Sequence, residues 1–493
     1  MKSISSLFEE LDYRIVQGSL DGDITELVYD SRKACEGCLF VCVKGASFDG
    51  HSFASAVADQ GARVIVVEDI VDIRSDVTVI QVSDTREALA NLSAAYFDHP
   101  SRQIRCIGIT GTKGKTTTTY MIRSILENAG YSVGLIGTIE TIIGDKHTPA
   151  LNTTPESYQI QKDLRQMLDN GQDICVMEVS SQGLMMHRVG GMIFEIGIFT
   201  NIEPDHIGPN EHKDFDEYLH CKSLLFRQCR LGIFNSDDPH YEEIKKGHTC
   251  DVATYGMSDK ADYRAVNSKL IMDGGSLGVS YDITGKINTH VNLPLPGAFS
   301  VYNSLAAVVV CCHFDIKPDD MNAALAGVHV KGRIEPVNIS NKFTLLIDYA
   351  HNAMSLKSLL VTLREYKPGR LVCLFGCGGN RSRQRRFEMG EVSGNLADLT
   401  IITSDNPRFE KPLDIIEDIK SGIIKTDGEF VAIEDRKEAI RYAITNAREG
   451  DVIVLAGKGH EDYQEICGKK HHMDERELIS DIVSEGTPFI GRV

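Results

Sequence analysis

The chain has 493 residues, carries 52 Lys and Arg against 70 Asp and Glu for a formal net charge of -18, and contains 13 cysteines. That length exceeds what one hydrophobic core serves, and we read three domains. So acidic a balance excludes a broad basic face for a nucleic-acid backbone, so anionic ligands must be held by local Arg, Lys and helix N-termini.

The opening MKSISSLFEELDYRIVQG is charged and amphipathic rather than continuously apolar. No stretch approaches a membrane span, so neither membrane insertion nor a nucleic-acid partner is expected. Many cysteines without secretory features indicate reduced thiols and a cytoplasmic setting. Cys35-x-x-Cys38 with Cys42 lacks a matching second pair at ligand spacing and reads as structural thiols.

Short apolar strands at 39–43, 63–67 and 77–82 alternate with helical segments up to about Tyr96, which predicts a small α/β domain without a phosphate loop. From Ile104 the pattern becomes strand 104–109, helix 115–129, strand 132–137, helix 155–170, strands 173–178 and 194–199, and helix 214–229. Such alternation predicts a mostly parallel sheet covered on both faces. The Ala-rich helical stretch 299–312 and its successor end before 328–336, where a Gly and a Pro punctuate the chain. Apolar strands then begin at 343, 370, 399 and 451, each ending in polar or glycine residues. Ligands in open α/β sheets bind at the carboxyl ends of strands, so these ends should face one crevice. The domains are expected at 1–98, 99–333 and 334–493.

The run IRCIGITGTKGKTTT at 104–118 leads an apolar strand into a glycine-punctuated turn and a helix start. Backbone N–H groups around Gly111, Thr112, Lys113 and Gly114 can close on phosphate oxygens. Lys115 adds a point charge, and Thr116 or Thr117 offers a hydroxyl to Mg²⁺. The spacing is GxxGKT, shorter than the strict GxxxxGK[ST]. Glu178 ends a strand expected beside this loop, where a carboxylate suits a Mg²⁺ ligand. His206 sits in the loop after the next strand. Lys222 lies among apolar residues of a helix, where a lysine by default snorkels to solvent. Arg333 and Asp348-Tyr-Ala-His351-Asn352 are individually weak signals.

Together these features resemble the Mur ligases, the ATP-dependent amide-forming enzymes that assemble the peptidoglycan stem peptide, over nearly the whole chain. The landmarks are GTKGKTTT at 111–118, Asn152-Thr153-Thr154-Pro155, EVSS at 178–181, the TN…DH segment ending at His206, Lys222 with its following LLF, GRIE at 332–335 and DYAHN at 348–352. Similarity to the tripeptide-forming branch rests on Asp30-Ser31-Arg32, FDGHSF at 48–53, GCGGNR at 376–381, Asp405-Asn406-Pro407-Arg408 and Gly457-Lys-Gly-His460-Glu461.

The resemblance implies a central P-loop parallel-sheet ATPase domain between an N-terminal α/β UDP-binding domain and a C-terminal Rossmann-like α/β domain. It implies a monomer that uses ATP and Mg²⁺ on UDP-N-acetylmuramoyl-L-alanyl-D-glutamate and meso-diaminopimelate. Lys115, Thr116 and Thr117 would serve ATP phosphates and Mg²⁺, with Glu178 and His206 at the metal-phosphate centre. Lys222 would be the position family members carry as a carbamate, an anion able to face a divalent cation. Ser31, Thr153, Thr154, Ser180 and Arg188 would hold the UDP-muramoyl dipeptide. Arg333, His351 and Asn352 would reach the nucleotide. Arg381, Asp405, Asn406, Arg408, Gly457 and Glu461 would bind diaminopimelate.

Four positions depart from the family pattern. Gln182 stands where His is common, Lys113 where Asn is common, Ala353 where Pro is usual, and Arg386-Phe387 where Arg-Pro is usual. Arg408 decides between diaminopimelate and L-lysine, because a guanidinium pairs bidentately with a distal carboxylate that lysine lacks. A folylpolyglutamate synthetase-like ligase is the nearest rival, and Arg408 with the 30–53 motifs counts against it. A noncatalytic UDP-sugar-binding paralogue is the other; Lys115, Glu178, His206 and Lys222 count against that.

Overall fold

The computed structural model describes residues 1–45, 48–208, 211–273 and 276–492. It divides into two compact units, one of residues 1–264 with 306–317 and one of residues 265–305 with 318–493.

Beside a short two-stranded pairing of Lys2–Ser3 with Asp23–Ile24, the first unit holds two main sheets. In the smaller, the strands run in the order Arg14–Gln17, Thr78–Gln81, Val64–Val67, Leu39–Val41, Leu27–Val28, with only the first antiparallel. Val64–Val67 is an apolar run with every residue buried, as a strand covered on both faces requires. The helix Thr85–Tyr96 starts on Asp84, whose carboxylate accepts from the N–H groups of Arg86 and Glu87. Tyr158, on the helix Ser157–Asp169, donates to Glu26 at 2.8 Å and meets the Phe97 ring edge to face at 5.2 Å between centres, which joins this layer to the next.

The larger sheet is mostly parallel. Its order runs from the hairpin Lys146–Pro149 and Glu140–Ile143 through Val133–Ile136, Ile174–Glu178, Arg105–Thr110, Phe194–Phe199 and Cys229–Asn235 to Asp251–Gly256. Arg105–Thr110 lies between Ile174–Glu178 and Phe194–Phe199, both parallel to it, so three carboxyl ends open together. The predicted helix 214–229 is shorter in the structure. It ends at Ser223, tightens into a 3₁₀ turn over Leu224–Arg227 and yields to the strand Cys229–Asn235.

In the second unit the order is Glu335–Pro336, Thr344–Asp348, Asp451–Ala456, Arg370–Phe375, Leu399–Ile402, Glu429–Ala432, parallel except for the first. Side chains alternate across it. Leu345, Ile347, Ile453 and Leu455 pack on one face with Ile440, and Leu346, Val452 and Val454 on the other with Leu360. Ser276–Gly285 and Thr289–Leu293 form an antiparallel hairpin. All 13 cysteines are free thiols. Among the described residues no helix is long and apolar enough to cross a membrane.

Candidate active site

The loop between the strand Arg105–Thr110 and the helix Lys115–Asn128 is held by the neighbouring strand end. Gly111 has φ +149, and a Cβ there would lie 1.9 Å from Thr200 Oγ, so only glycine fits. Thr112 N–H donates to Asn201 O at 2.9 Å and Lys113 N–H to Asn201 Oδ1 at 2.9 Å. Lys113, the family departure, pairs with Glu203 at 2.7 Å. Behind the loop, Thr112 Oγ and the Tyr218 hydroxyl are 2.9 Å apart. The first N–H groups of the helix have no partner within it, which makes its start an anion site.

Glu178 is buried beside that start. One carboxylate oxygen accepts from Thr116 Oγ at 3.0 Å and Thr138 Oγ at 3.0 Å, the other from Thr138 N–H at 2.8 Å. Lys222 does not snorkel. It is 1% exposed, with its side-chain nitrogen 3.0 Å from Gly111 O and 4.5 Å from the centre of the Tyr218 ring. Lys115 reaches the same Gly111 oxygen at 2.7 Å. Burial pushes the Lys222 amine well below its usual range, the Lys115 charge adds to this and Asp205 opposes it.

His206 has φ +55 and is half exposed, with Nδ1 3.3 Å from Glu211. Its ring centre is 6.1 Å from that of Tyr218. Thr117 sits in the first helical turn, partly buried. Sequence reasoning missed His212, fully buried with Nε2 2.9 Å from Ser181 Oγ and its ring centre 5.2 Å from that of Tyr218. A histidine in a polar loop carries no periodicity that announces burial.

Four of the five residues expected at the dipeptide meet next to Glu178. Thr154 Oγ donates to Glu178 O at 3.0 Å and accepts from Ser180 N–H at 2.9 Å. Ser180 Oγ caps the short helix Ser181–Met185 by accepting from Gly183 N–H at 3.0 Å. Thr153 Oγ is 3.1 Å from Thr138 Oγ. Arg188 donates to Thr154 O at 2.9 Å and pairs with Glu156 at 2.9 Å. Ser31 opens a 3₁₀ turn capped by Asp30. Its neighbour Tyr29 is linked electrostatically to the same group: burial pushes the phenol up, Glu156 and Asp30 add, and Arg188 opposes.

In the second unit the strand ends carry a buried cluster. The ammonium of Lys458, 0% exposed, donates to Asn406 Oδ1 at 2.9 Å and Glu461 at 3.0 Å, with Asp405 at 3.7 Å. Asn406 Nδ2 donates to Glu461 at 2.9 Å. Gly457 has φ +107, and a Cβ there would lie 2.9 Å from Asp405 Oδ2. Asp405, Asn406, Gly457 and Glu461 thus converge, and Lys458, to which the sequence reading gave no role, is the charge between Asp405, Asn406 and Glu461. Arg408 donates from Nη1 to Gly379 O at 2.8 Å and from Nε to Glu465 at 3.1 Å. Arg381 is exposed, and a Cβ at Gly378 would lie 3.8 Å from its Cγ and 2.9 Å from Arg408 Nη1.

Nearby, the Arg333 guanidinium lies 5.1 Å from the Tyr349 ring centre, and His351 Nδ1 is 2.9 Å from Tyr349 O. Asn352 has a job the sequence reading did not foresee: it caps the helix Ala353–Glu365, its Oδ1 accepting from Ser355 N–H at 2.9 Å. Ala353 is the first residue of that helix, the position where proline is favoured and alanine equally fits, so this departure costs the fold little. Arg386, another departure, is buried and paired with Glu410 at 2.7 Å and Asp418 at 3.0 Å. Burial raises the Asp348 carboxyl while Arg333 opposes. Burial, then the charges of Arg333, Lys331 and Arg476, push His460 down to about 4.

Three family descriptions match: Mur ligase family, catalytic domain over residues 23–97; Mur ligase middle domain over 109–311; and Mur ligase, glutamate ligase domain over 332–459. The chain belongs to the Mur ligase family. It is 43% identical over 486 residues to UDP-N-acetylmuramoyl-L-alanyl-D-glutamate--2,6-diaminopimelate ligase 1 of Clostridium acetobutylicum, covering 98% of this chain and 99% of that one. A relative of the same enzyme name from Bacillus licheniformis is 40% identical over 481 residues, covering 95% and 96%. A solved structure bearing that enzyme name superposes with a TM-score of 0.73 at 26% identity over 99% of both chains. A folylpolyglutamate synthase of Mycobacterium tuberculosis shares the fold, with a TM-score of 0.58 at 17% identity over 76% of this chain and 92% of that one. The expected α/β architecture is the one observed.

Proposed function

We propose that the protein joins meso-diaminopimelate to UDP-N-acetylmuramoyl-L-alanyl-D-glutamate as an ATP-dependent amide ligase of peptidoglycan precursor synthesis, releasing ADP and phosphate. The observation that carries the choice of amino acid is the Arg408 guanidinium, held just past the strand-end cluster of Asp405, Asn406 and Glu461. Acceptors for ammonium groups and a donor for a distal carboxylate suit an amino acid that is a zwitterion at both ends. A site built this way rejects an analogue lacking the carboxylate.

The chemistry divides by residue. The helix start and Lys115 bind the phosphates of ATP, and the D-glutamate carboxylate takes the terminal phosphoryl group to become an acyl phosphate. The neutral amine of diaminopimelate attacks the acyl carbon, phosphate leaves with the C–O bond electrons, and the nitrogen loses a proton as the amide forms. Thr153, Thr154, Ser180, Arg188 and Ser31 are assigned to the dipeptide. Residues 1–98, 99–333 and 334–493 are assigned to UDP-muramoyl, ATP and amino-acid binding. The protein's part is positioning and neutralisation of developing charge.

The residues fit Mg²⁺. Among the described residues Glu178 is a buried carboxylate with only neutral partners, and it shares a hydrogen bond with the Thr116 hydroxyl. These are the hard oxygen donors the ion takes, and since no group of three His, Cys, Asp or Glu able to hold a metal ion occurs among the described residues, phosphate and water would complete the shell. Thr116 and Glu178 would hold it, with Thr117, His206 and Lys222 assigned by the family pattern. When bound, the ion neutralises charge on the phosphate oxygens. Burial favours the neutral Lys222 amine, the form that adds CO₂ and loses a proton to give a carbamate.

Phosphate release with the UDP-dipeptide, ATP and each of several amino acids tests this reading. Release with diaminopimelate and little with L-lysine is the expected result. Preference for lysine reassigns the substrate, and no release with any amino acid leaves the protein noncatalytic.

A further inference from the structure

Arg408 is a non-glycine residue at φ +52, a region its side chain sparsely populates. The backbone on both sides of that angle is tied to the hairpin Tyr463–Ile466 and Lys469–His472, on one side to its first strand and on the other to the turn that follows it. Arg408 N–H donates to Glu465 O at 2.9 Å, and Arg408 O accepts from Cys467 N–H at 2.7 Å. The same strand also holds the side chain: Glu465 accepts from Arg408 Nε at 3.1 Å, and Glu465 N–H donates to Asn406 Oδ1 at 2.8 Å. Gly379 O takes Nη1 from another direction. A planar guanidinium anchored at two of its nitrogens cannot rotate, and its remaining donors keep a fixed direction. Both partners of the ion pair are about three-quarters covered, at 23% and 24% side-chain exposure, so solvent screens it less than a surface pair. Asp405 and Glu461 are meanwhile held by Lys458, so the cluster's own acids do not compete for the arginine.

We propose that Glu465 is a positioning residue that pre-orients Arg408 for the distal carboxylate of the incoming amino acid. The inference rests on the reading of Arg408 given above. A free arginine would be ordered only when the ligand arrives, weakening binding; Glu465 orders it beforehand.

The test is steady-state kinetics on diaminopimelate and L-lysine for the parent, Glu465→Ala, Glu465→Gln, Arg408→Ala and the Glu465→Ala, Arg408→Ala double variant. Glu465→Ala is expected to raise KM for diaminopimelate roughly tenfold with kcat little changed, and to shift the diaminopimelate-to-lysine ratio towards that of Arg408→Ala. Glu465→Gln, which keeps an oxygen for Nε, should recover most of the loss. In the Arg408→Ala background the Glu465 change should add nothing. A parent-like KM in Glu465→Ala overturns the inference. So does an equal loss with and without Arg408, which would mark a packing role for the hairpin. A parent that prefers lysine overturns the reading of Arg408 and this inference with it; a parent that prefers diaminopimelate, with Glu465→Ala unaffected, overturns this inference alone.

Discussion

The side-chain nitrogen of Lys222 lies 3.0 Å from Gly111 O, the same oxygen that takes the Lys115 ammonium at 2.7 Å. Two amines from different helices converge on one loop carbonyl, and the one contributed by Lys222 is fully buried. Burial strips a charged amine of hydration, so the neutral, CO₂-reactive form is favoured there. Lys222→Ala is expected to lose activity by roughly 100-fold or more, the scale of removing an electrostatic group from a reacting centre. Added short carboxylates should restore part of it. Activity of a folded Ala variant equal to the parent would remove Lys222 from the mechanism.

Lys115 and the dipeptide set are separable. Thr153, Thr154, Ser180 and Arg188 are bonded among themselves and to Glu178, Thr138 and Glu156, and none of these bonds uses Lys115. Lys115→Ala should therefore abolish turnover while the UDP-dipeptide still binds, as read by calorimetric titration. An equal loss of dipeptide affinity in a folded variant would contradict that division.

Much of the phosphate site was legible because its signal is local. An apolar strand, two glycines and a lysine at fixed spacing specify a loop whatever surrounds it, and Glu178 followed from the strand being a neighbour in a parallel sheet. Lys222 was legible only through the family resemblance, because from spacing alone a lysine on an apolar helix face looks the same whether it reaches solvent or a carbonyl inside. Lys458 and Glu465 depend on a turn and a hairpin that bring them back to Asn406, a tertiary event without periodicity. The predicted helix ran on to 229, through the 3₁₀ turn Leu224–Arg227, because Leu224, Leu225 and Phe226 extend its apolar run, and the strand Cys229–Asn235 behind it went unread. The edge strand Lys146–Pro149 is fully exposed, so it shows no alternation to read.

His460 supplies a pH dependence whose sign is fixed. Its imidazole, packed 4.6 Å from the Tyr349 ring centre, titrates at about 4 in the folded protein against an ordinary value of 6.5. Between those values the unfolded chain binds more protons there than the folded one, so stability rises with pH across the window. The contribution is complete above 6.5 and is lost as pH falls towards 4. His460→Asn removes the titration, and its unfolding midpoint should fall less steeply than the parent's as pH drops through that window. Parallel curves would mean that His460 titrates normally.

Arg408 gives the sharpest test of substrate choice. Its contacts with Gly379 O and Glu465 leave guanidinium donors for a ligand, and the pair is held in a partly buried site where a carboxylate would be poorly screened. If those donors take the distal carboxylate of diaminopimelate, Arg408→Ala should lose on the order of 2–5 kcal/mol of discrimination, as when one partner of a buried charge pair is truncated. Activity on lysine should stay low, because deleting a guanidinium builds no acceptor for an ammonium tip. The quantity to measure is the ratio of kcat/KM for the two amino acids in parent and variant. An unchanged ratio would reduce Arg408 to a turn residue stapled to the hairpin, and the choice of diaminopimelate would then have to come from Arg381 or from elsewhere in the cluster.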